Sequence, residues 1–218
     1  MHLLAGLVAA LACGLGPWAM AGVRSRWLEA GAGASLVAMV VGAVFGLPLY
    51  PLSDVVILVF GVCGGTLLGR VMPPKFVPFL VLLMALSVLD VAQNVAFSGP
   101  APASPAPGGG LDPHFIWLNF RVPLPTGHFS LGFADLVVIA AASEHFRRRS
   151  AGWPVALLPG MLGLAIGDLL AVGFGNPSQP AVAALLQSLI PLVTLGWLVA
   201  VAVERIRSGT ESRGAGFS

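Results

Sequence analysis

Three aspartates lie inside long apolar stretches of the sequence, at Asp90, Asp135 and Asp168. A carboxylate in the hydrocarbon core of a bilayer costs about 2.5–3.5 kcal/mol on insertion scales, so each one needs a functional or structural reason. Two carboxylates held close together in a low dielectric cannot both ionise easily, and one then keeps a proton near neutral pH. Such a pair is suited to peptide hydrolysis, because the ionised member takes a proton from water while the protonated member polarises the carbonyl.

The composition indicates that these stretches lie in a membrane. The chain has 218 residues, of which 57% are hydrophobic and only 9% are charged, and its mean hydropathy is +0.92. A soluble domain carries about 25% charged residues, so a separate soluble catalytic domain is excluded. A disulfide-framed secreted protein is excluded as well, since the chain has two cysteines and both lie in apolar runs. The formal charge of +2 gives no reason to expect a nucleic-acid partner.

Apolar runs of about 20 residues predict seven membrane spans. They cover residues 2–23, 31–50, 55–69, 76–97, 128–146, 153–175 and 180–203. The predicted fold class is all-α, a polytopic transmembrane helix bundle that forms one membrane domain. Spans one to four occupy 1–97, a Pro/Gly-rich external loop 98–127, spans five to seven 128–203, and a cytoplasmic tail 204–218. Because no Lys or Arg precedes the first span, we expect it to be retained rather than cleaved as a signal peptide.

Basic residues predict the orientation of the spans. Ten of the eleven Lys and Arg residues follow spans one, three, five and seven, and Arg121 is the exception. The N-terminus is therefore predicted outside and the C-terminus in the cytoplasm of a multi-pass protein of the cell membrane. The apolar segment 115–125 of the external loop is predicted to lie at the interface or to form a short strand. Four glycines of span three, Gly61, Gly64, Gly65 and Gly69, predict close contact with neighbouring helices.

The three aspartates share one predicted depth. Asp90 lies seven residues before the outer end of span four, and Asp135 lies seven residues after the outer start of span five. At 1.5 Å per residue, both are roughly 10 Å below the outer boundary. If these antiparallel helices touch, the two carboxylates face each other. Asp168 lies at the same depth in span six, so depth alone does not decide which two acids pair.

Three segments resemble the motifs of the presenilin and signal-peptide-peptidase family of intramembrane aspartyl proteases. That family has Tyr-Asp in one span, Gly-x-Gly-Asp in the next and Pro-Ala-Leu at the start of the last. The corresponding segments, in spans four, five and seven, are Ser87-Val-Leu-Asp90, Leu131-Gly-Phe-Ala-Asp135 and Gln179-Pro-Ala-Val182. Leu89, Ala134 and Val182 stand where the family has Tyr, Gly and Leu. The resemblance covers nearly the whole chain, and the predicted orientation is similar to that of the signal-peptide-peptidase branch.

The resemblance implies an aspartic endopeptidase that cuts transmembrane helices or signal-peptide remnants without a cofactor or a metal. Its implied partners are the lipid bilayer and a transmembrane peptide or protein substrate. Asp90 and Asp135 would be the catalytic pair, and Gly132 would permit close approach of helices. A non-helical turn near the acids would position the substrate, formed by Pro180, Ala181 and Val182.

Three further residues and two further function classes stay open. Gln93 and Asn94 follow Asp90 by three and four residues, on its helical face, and could bond the acids or substrate or satisfy one another across helices. Asp168 has no counterpart in the family motifs and is a reserve candidate. The same acids would suit a small transporter or proton-coupled carrier. The altered motifs would also suit an inactive relative that binds membrane segments without cutting them.

Overall fold

A computed structural model describes residues 2–97, 117–124, 127–174 and 188–214. This part of the chain forms seven helices and one two-stranded antiparallel sheet. In chain order these elements are α1 (His2–Ala19), α2 (Ser25–Phe45), α3 (Leu52–Val71), α4 (Phe76–Phe97), β1 (Asn119–Leu124), β2 (Gly127–Gly132), α5 (Phe133–Arg148), α6 (Trp153–Phe174) and α7 (Leu189–Gly214).

Four of the helices are long and apolar enough to cross a membrane, namely α2, α3, α4 and α7. Shorter apolar segments occur in α1, at Val8–Ala19, and in α6, at Trp153–Gly167. Large apolar side chains are exposed along α2 and α4, among them Val37, Val44 and Val81. An outer surface of this kind suits lipid rather than water. The prediction of a helical bundle with apolar helices of membrane-spanning length is confirmed, while the seven spans and their orientation stay predictions.

Helix α5 is the central element of the bundle. Its side chains are buried almost without interruption from Leu136 to Phe146, and it packs against α1, α3, α6 and α7. Because protein rather than lipid surrounds it, α5 can carry Ser143, Glu144 and His145 near its end. Helix α7 in turn contacts α4, α5 and α6, so it connects the outer helix α4 to the centre.

The predicted start of span five at residue 128 was wrong, because residues 127–132 form strand β2. This strand pairs with β1 in the register Phe120 opposite Leu131, and both side chains are buried. His128 and Ser130 alternate with Phe129 and Leu131 in the sequence, and a period of two is typical of a strand. Helix α5 therefore begins at Phe133. For segment 115–125 the sequence predicted either an interfacial segment or a short strand. The structure has the strand, as β1.

The other predicted boundaries agree with the structure to different degrees. Helix α4 has the predicted bounds, whereas α3, at Leu52–Val71, is longer than predicted. Helix α2 begins six residues early at Ser25 and ends where Gly46 adopts the left-handed conformation, with φ 58° and ψ 44°. Helix α7 continues to Gly214, past the predicted end at residue 203. The predicted start of span seven, at residue 180, lies outside the described residues.

The glycines of α3 confirm the predicted close helix contact. A Cβ added at Gly61 would lie 2.7 Å from the Cβ of Leu136, and one at Gly69 would lie 2.7 Å from the Cβ of Glu144. At Gly65 it would overlap the carbonyl oxygen of Val137 on α5. These three glycines recur every four residues and form one face of α3, which lets the two backbones approach. A Cβ added at Gly64 would make only ordinary van der Waals contacts, so this fourth glycine is not needed for the close approach.

The substitution Gly65→Ala is expected to lower the free energy of unfolding by about 1–3 kcal/mol, because the methyl group meets backbone that cannot rotate away. Titration of the protein with SDS in mixed micelles measures this difference. Gly33→Ala is the matched control, since a Cβ at Gly33 has nothing within 4 Å. The control should keep or slightly raise stability, as Ala is the better helix former. Equal losses in both variants would contradict the packing described for α3.

Arginines join the helix ends at one end of the bundle, here called the basic end. Arg70 donates to the carbonyls of Met20 and Val23 at 2.8 Å, which ties the end of α3 to the chain after α1. Arg148 at the end of α5 donates to three carbonyls at the end of α3. The guanidinium of Arg205 on α7 lies 5.3 Å from the ring centre of Phe76, the first residue of α4. The basic connections thus meet at one end, as the sequence predicts.

Candidate functional site

Asp90 lies where α4 meets the beginning of α7. The backbone N–H of Ile190 donates to its Oδ2 atom at 3.1 Å. Ile190 is the second residue of α7, so its N–H has no partner within the helix. A carboxylate at this position also interacts favourably with the positive end of the helix dipole. The start of α7 therefore fixes the position of the Asp90 carboxyl group.

A pair of hydroxyl groups one turn away holds the same two helices together. The Oγ of Ser87 on α4 lies 3.0 Å from the Oγ1 of Thr194 on α7, and both residues are buried. Thr194 donates its single proton to the carbonyl of Ile190 at 2.9 Å, so Ser87 is the donor in the pair. The bonds at Asp90 and Ser87 set the register of α4 against α7.

Asp135 lies in the first turn of α5. Its Oδ2 accepts a hydrogen bond at 3.0 Å from the backbone N–H of Gly132, the last residue of strand β2. The predicted depth of two helical turns for Asp135 was wrong, because the residues before Phe133 form a strand. The carboxylates of Asp90 and Asp135 lie within electrostatic range of each other. Both residues are half-buried.

A ring contact at the basic end indicates the relative level of the two acids. The rings of Phe79 on α4 and His145 on α5 stack with their centres 4.2 Å apart. Asp90 follows Phe79 by eleven residues, and Asp135 precedes His145 by ten. At 1.5 Å per residue, these separations correspond to about 16 Å and about 15 Å along antiparallel helices. The two acids therefore lie at nearly the same level, at the end of the bundle that carries the β1–β2 hairpin.

The side chains of most of the other predicted site residues lie outside the part of the chain that the structure describes. Gln93 is exposed, while the side chains of Asn94 and Asp168 lie outside the described part of the chain. The predicted substrate-positioning residues Pro180, Ala181 and Val182 also lie outside the described residues.

The predicted role of Gly132 in helix approach was wrong. Gly132 ends β2 rather than lying in a helix, and its φ of −65° is accessible to any residue. A Cβ added there would come within 4 Å only of the Asp135 carboxyl group among the described atoms, with Oδ2 at 3.2 Å. Gly132 therefore makes room for that carboxyl group and supplies its N–H donor.

One buried acid was missed by the sequence analysis. Glu144 on α5 has no exposed side-chain surface and accepts two hydrogen bonds from Arg147, at 2.6 and 2.7 Å. Arg70 on α3 lies 3.5 Å from its Oε1 atom. Glu144 lies within the predicted span five, so the rule that drew attention to the aspartates would have identified it. Its partners make it a structural group of the basic end.

The described residues contain no cluster of three or more His, Cys, Asp or Glu side chains that could hold a metal ion. The sequence matches no protein-family model, and comparisons with curated proteins and with solved structures give no match either. Any assignment of function therefore rests on the residues and their geometry.

Proposed function

We propose that the protein is an intramembrane aspartyl protease in which Asp90 and Asp135 form the catalytic pair. The observation that carries the proposal is that these two acids come from different helices, lie at one level and are near enough for the charge of Asp90 to act on Asp135. Two carboxylates in that arrangement share a proton, because joint ionisation is unfavourable in a poorly solvated site. Gly132 and Ile190 each donate a backbone hydrogen bond that fixes one of the two carboxyl groups.

The proposed reaction is direct attack of water on a peptide bond of the substrate. The ionised carboxylate takes a proton from the water as its oxygen bonds to the carbonyl carbon, and the protonated carboxyl group donates to the carbonyl oxygen. The resulting tetrahedral intermediate breaks its C–N bond as the nitrogen receives a proton from the pair. At the same time one hydroxyl group of the intermediate returns its proton to the pair as its C=O bond forms, so a carboxylic acid and an amine leave and the shared proton is restored. No covalent enzyme intermediate is needed.

Access for water supports the choice of these two residues. Asp90 and Asp135 are half-buried, and Ala134 and Gln93 beside them are exposed. In the proposed mechanism water reaches the pair from the hairpin end, while the apolar helices exclude it from the centre. Under the proposed orientation, with seven spans and the N-terminus outside, the hairpin end is the outer face. The turn proposed at Pro180, Ala181 and Val182 would present substrate close to the start of α7.

The sequence of α5 favours proteolysis over a proton-coupled carrier. Between Asp135 and Ser143 the helix carries only Leu, Val, Ile and Ala side chains. A proton carried along the central helix would therefore have to cross about 12 Å, from Asp135 to Ser143, with no polar side chain on that helix to accept it. A protease needs the acids only at one level, where a substrate and water meet.

The proposal is tested with purified protein in detergent and a reporter peptide that contains one transmembrane helix. We expect two products whose masses add up to the peptide plus one water. A hydroxyethylene isostere of the cleaved bond should inhibit competitively, because its hydroxyl group replaces the attacking water between the two carboxyl groups. Absence of cleavage together with proton-driven uptake into liposomes would favour the carrier. Binding of the reporter without cleavage would favour the inactive relative.

A further inference from the structure

A second candidate site lies at the basic end, far from the two catalytic aspartates. A cavity of about 340 Å³ opens between the turn that joins α5 to α6 and the second half of α7. Arg149, Ser150 and Gly152 line it on one side, and Glu204 and Arg207 line it on the other. Small-molecule sites have volumes of about 300–1,000 Å³, so the cavity is large enough for a polar headgroup.

The charged side chains that line the cavity leave it net positive. Arg149 and Arg207 contribute two positive charges and Glu204 one negative charge, which leaves a net charge of +1. Glu204 holds Arg149 in place, with Nη2 to Oε2 at 3.1 Å and Nε to Oε1 at 3.2 Å. The guanidinium of Arg207 lies beside Gly152, because a Cβ added to that glycine would be 3.6 Å from Nη1. Two guanidinium groups at one cavity suit a phosphate, which accepts several charge-assisted hydrogen bonds.

Tryptophans indicate that this cavity lies at the membrane surface. Trp153 follows the cavity residue Gly152 directly and is 58% exposed. Trp27 near the start of α2 is 63% exposed and lies under the guanidinium of Arg26, at 5.7 Å. Exposed indole rings at the ends of apolar helices are typical of the headgroup level of a bilayer. Buried Ala151 and Val155 form the apolar part of the lining.

We propose that this cavity binds the phosphate of an anionic phospholipid headgroup. Basic pockets between transmembrane helices on the cytoplasmic side bind such headgroups in other membrane proteins, and the basic end is the predicted cytoplasmic side. The net positive charge selects a lipid with net negative charge over a zwitterionic one, whose ammonium group the arginines repel. The bound headgroup bridges the α5–α6 turn and α7, so it stabilises the bundle.

Thermal unfolding of delipidated protein in a non-ionic detergent tests this site. Dioctanoyl phosphatidylglycerol, dioctanoyl phosphatidylcholine and inorganic phosphate are titrated separately, and the apparent Tm is recorded. We expect phosphatidylglycerol to raise Tm at concentrations about tenfold below those at which either other compound acts. Arg207→Gln should weaken this response about tenfold, which corresponds to the loss of one charge-assisted contact. Arg207→Lys should retain the preference for phosphatidylglycerol, because it retains the charge.

Arg26→Gln is the matched control, since Arg26 is an exposed arginine of the same end that does not line the cavity. It should respond to phosphatidylglycerol as the wild type does. The Tm of each variant without lipid shows whether it is folded. An unchanged response in Arg207→Gln, or equal loss in Arg26→Gln, would overturn the site. Equal responses to phosphatidylglycerol and to inorganic phosphate would overturn the assignment to a lipid headgroup.

Discussion

Asp90→Asn and Asp135→Asn are each expected to reduce cleavage of the reporter peptide by about 10³-fold or more. An asparagine cannot exchange the proton that the reaction moves, and general acid–base catalysis alone supplies about 10²–10⁴-fold in rate. The two effects should not add in the double variant, because the carboxyl groups act as one unit. Initial rates are measured at saturating peptide, so that loss in kcat is separated from weaker binding.

These variants keep the structural contacts of the acids. The amide oxygen of Asn accepts a hydrogen bond as a carboxylate oxygen does, so the bonds from Ile190 and Gly132 remain possible. Thermal unfolding of each variant checks that the bundle is intact. Asp168→Asn is the matched control, and it should retain cleavage because Asp168 is outside the proposed pair. Full activity in Asp90→Asn or in Asp135→Asn would refute the catalytic assignment, and loss only in Asp168→Asn would transfer the role to that residue.

The apolar pattern predicted the helices better than it predicted their ends. Helix α4 is a lipid-facing helix, and its apolar run ends where the helix ends. In α5 the apolar run begins earlier, in strand β2, because a half-buried strand and a buried helix both use apolar residues. The alternation over residues 127–132 was the signal that distinguishes the two. This error changed the inferred depth of Asp135, which lies in the first turn of α5 rather than two turns into it.

Other parts of the site depend on tertiary contacts that have no local sequence signal. The bond from Ile190 to Asp90 joins residues 100 positions apart, and the contact between Ser87 and Thr194 joins residues 107 positions apart. No pattern within either helix predicts which faces meet. The glycines of α3 were predictable, because residues without side chains are expected where membrane helices pack closely. Gly132 was misassigned because its motif was interpreted as helical, whereas the residue ends a strand.

Glu144→Gln is expected to lower the free energy of unfolding by about 3–5 kcal/mol, the usual effect of breaking a buried ion pair. Glu144 is fully buried, and its carboxylate lies between Arg70 and Arg147. Without that negative charge two guanidinium groups remain in a partly desolvated site with no carboxylate between them. Arg70 also holds the carbonyls of Met20 and Val23, so its displacement would loosen the chain after α1 as well. SDS titration in mixed micelles measures the change.

Glu29→Gln is the matched control for the loss of one negative charge. Glu29 is an exposed residue of α2, so its substitution should change stability by no more than about 0.5 kcal/mol. The Glu144 variant should keep its cleavage activity under conditions in which it is folded, because the basic end and the aspartate pair are about 15 Å apart along α5. A stability change equal to that of the control would mean that the arginines find other partners. The ion cluster would then not be what holds α1, α3 and α5 together at the basic end.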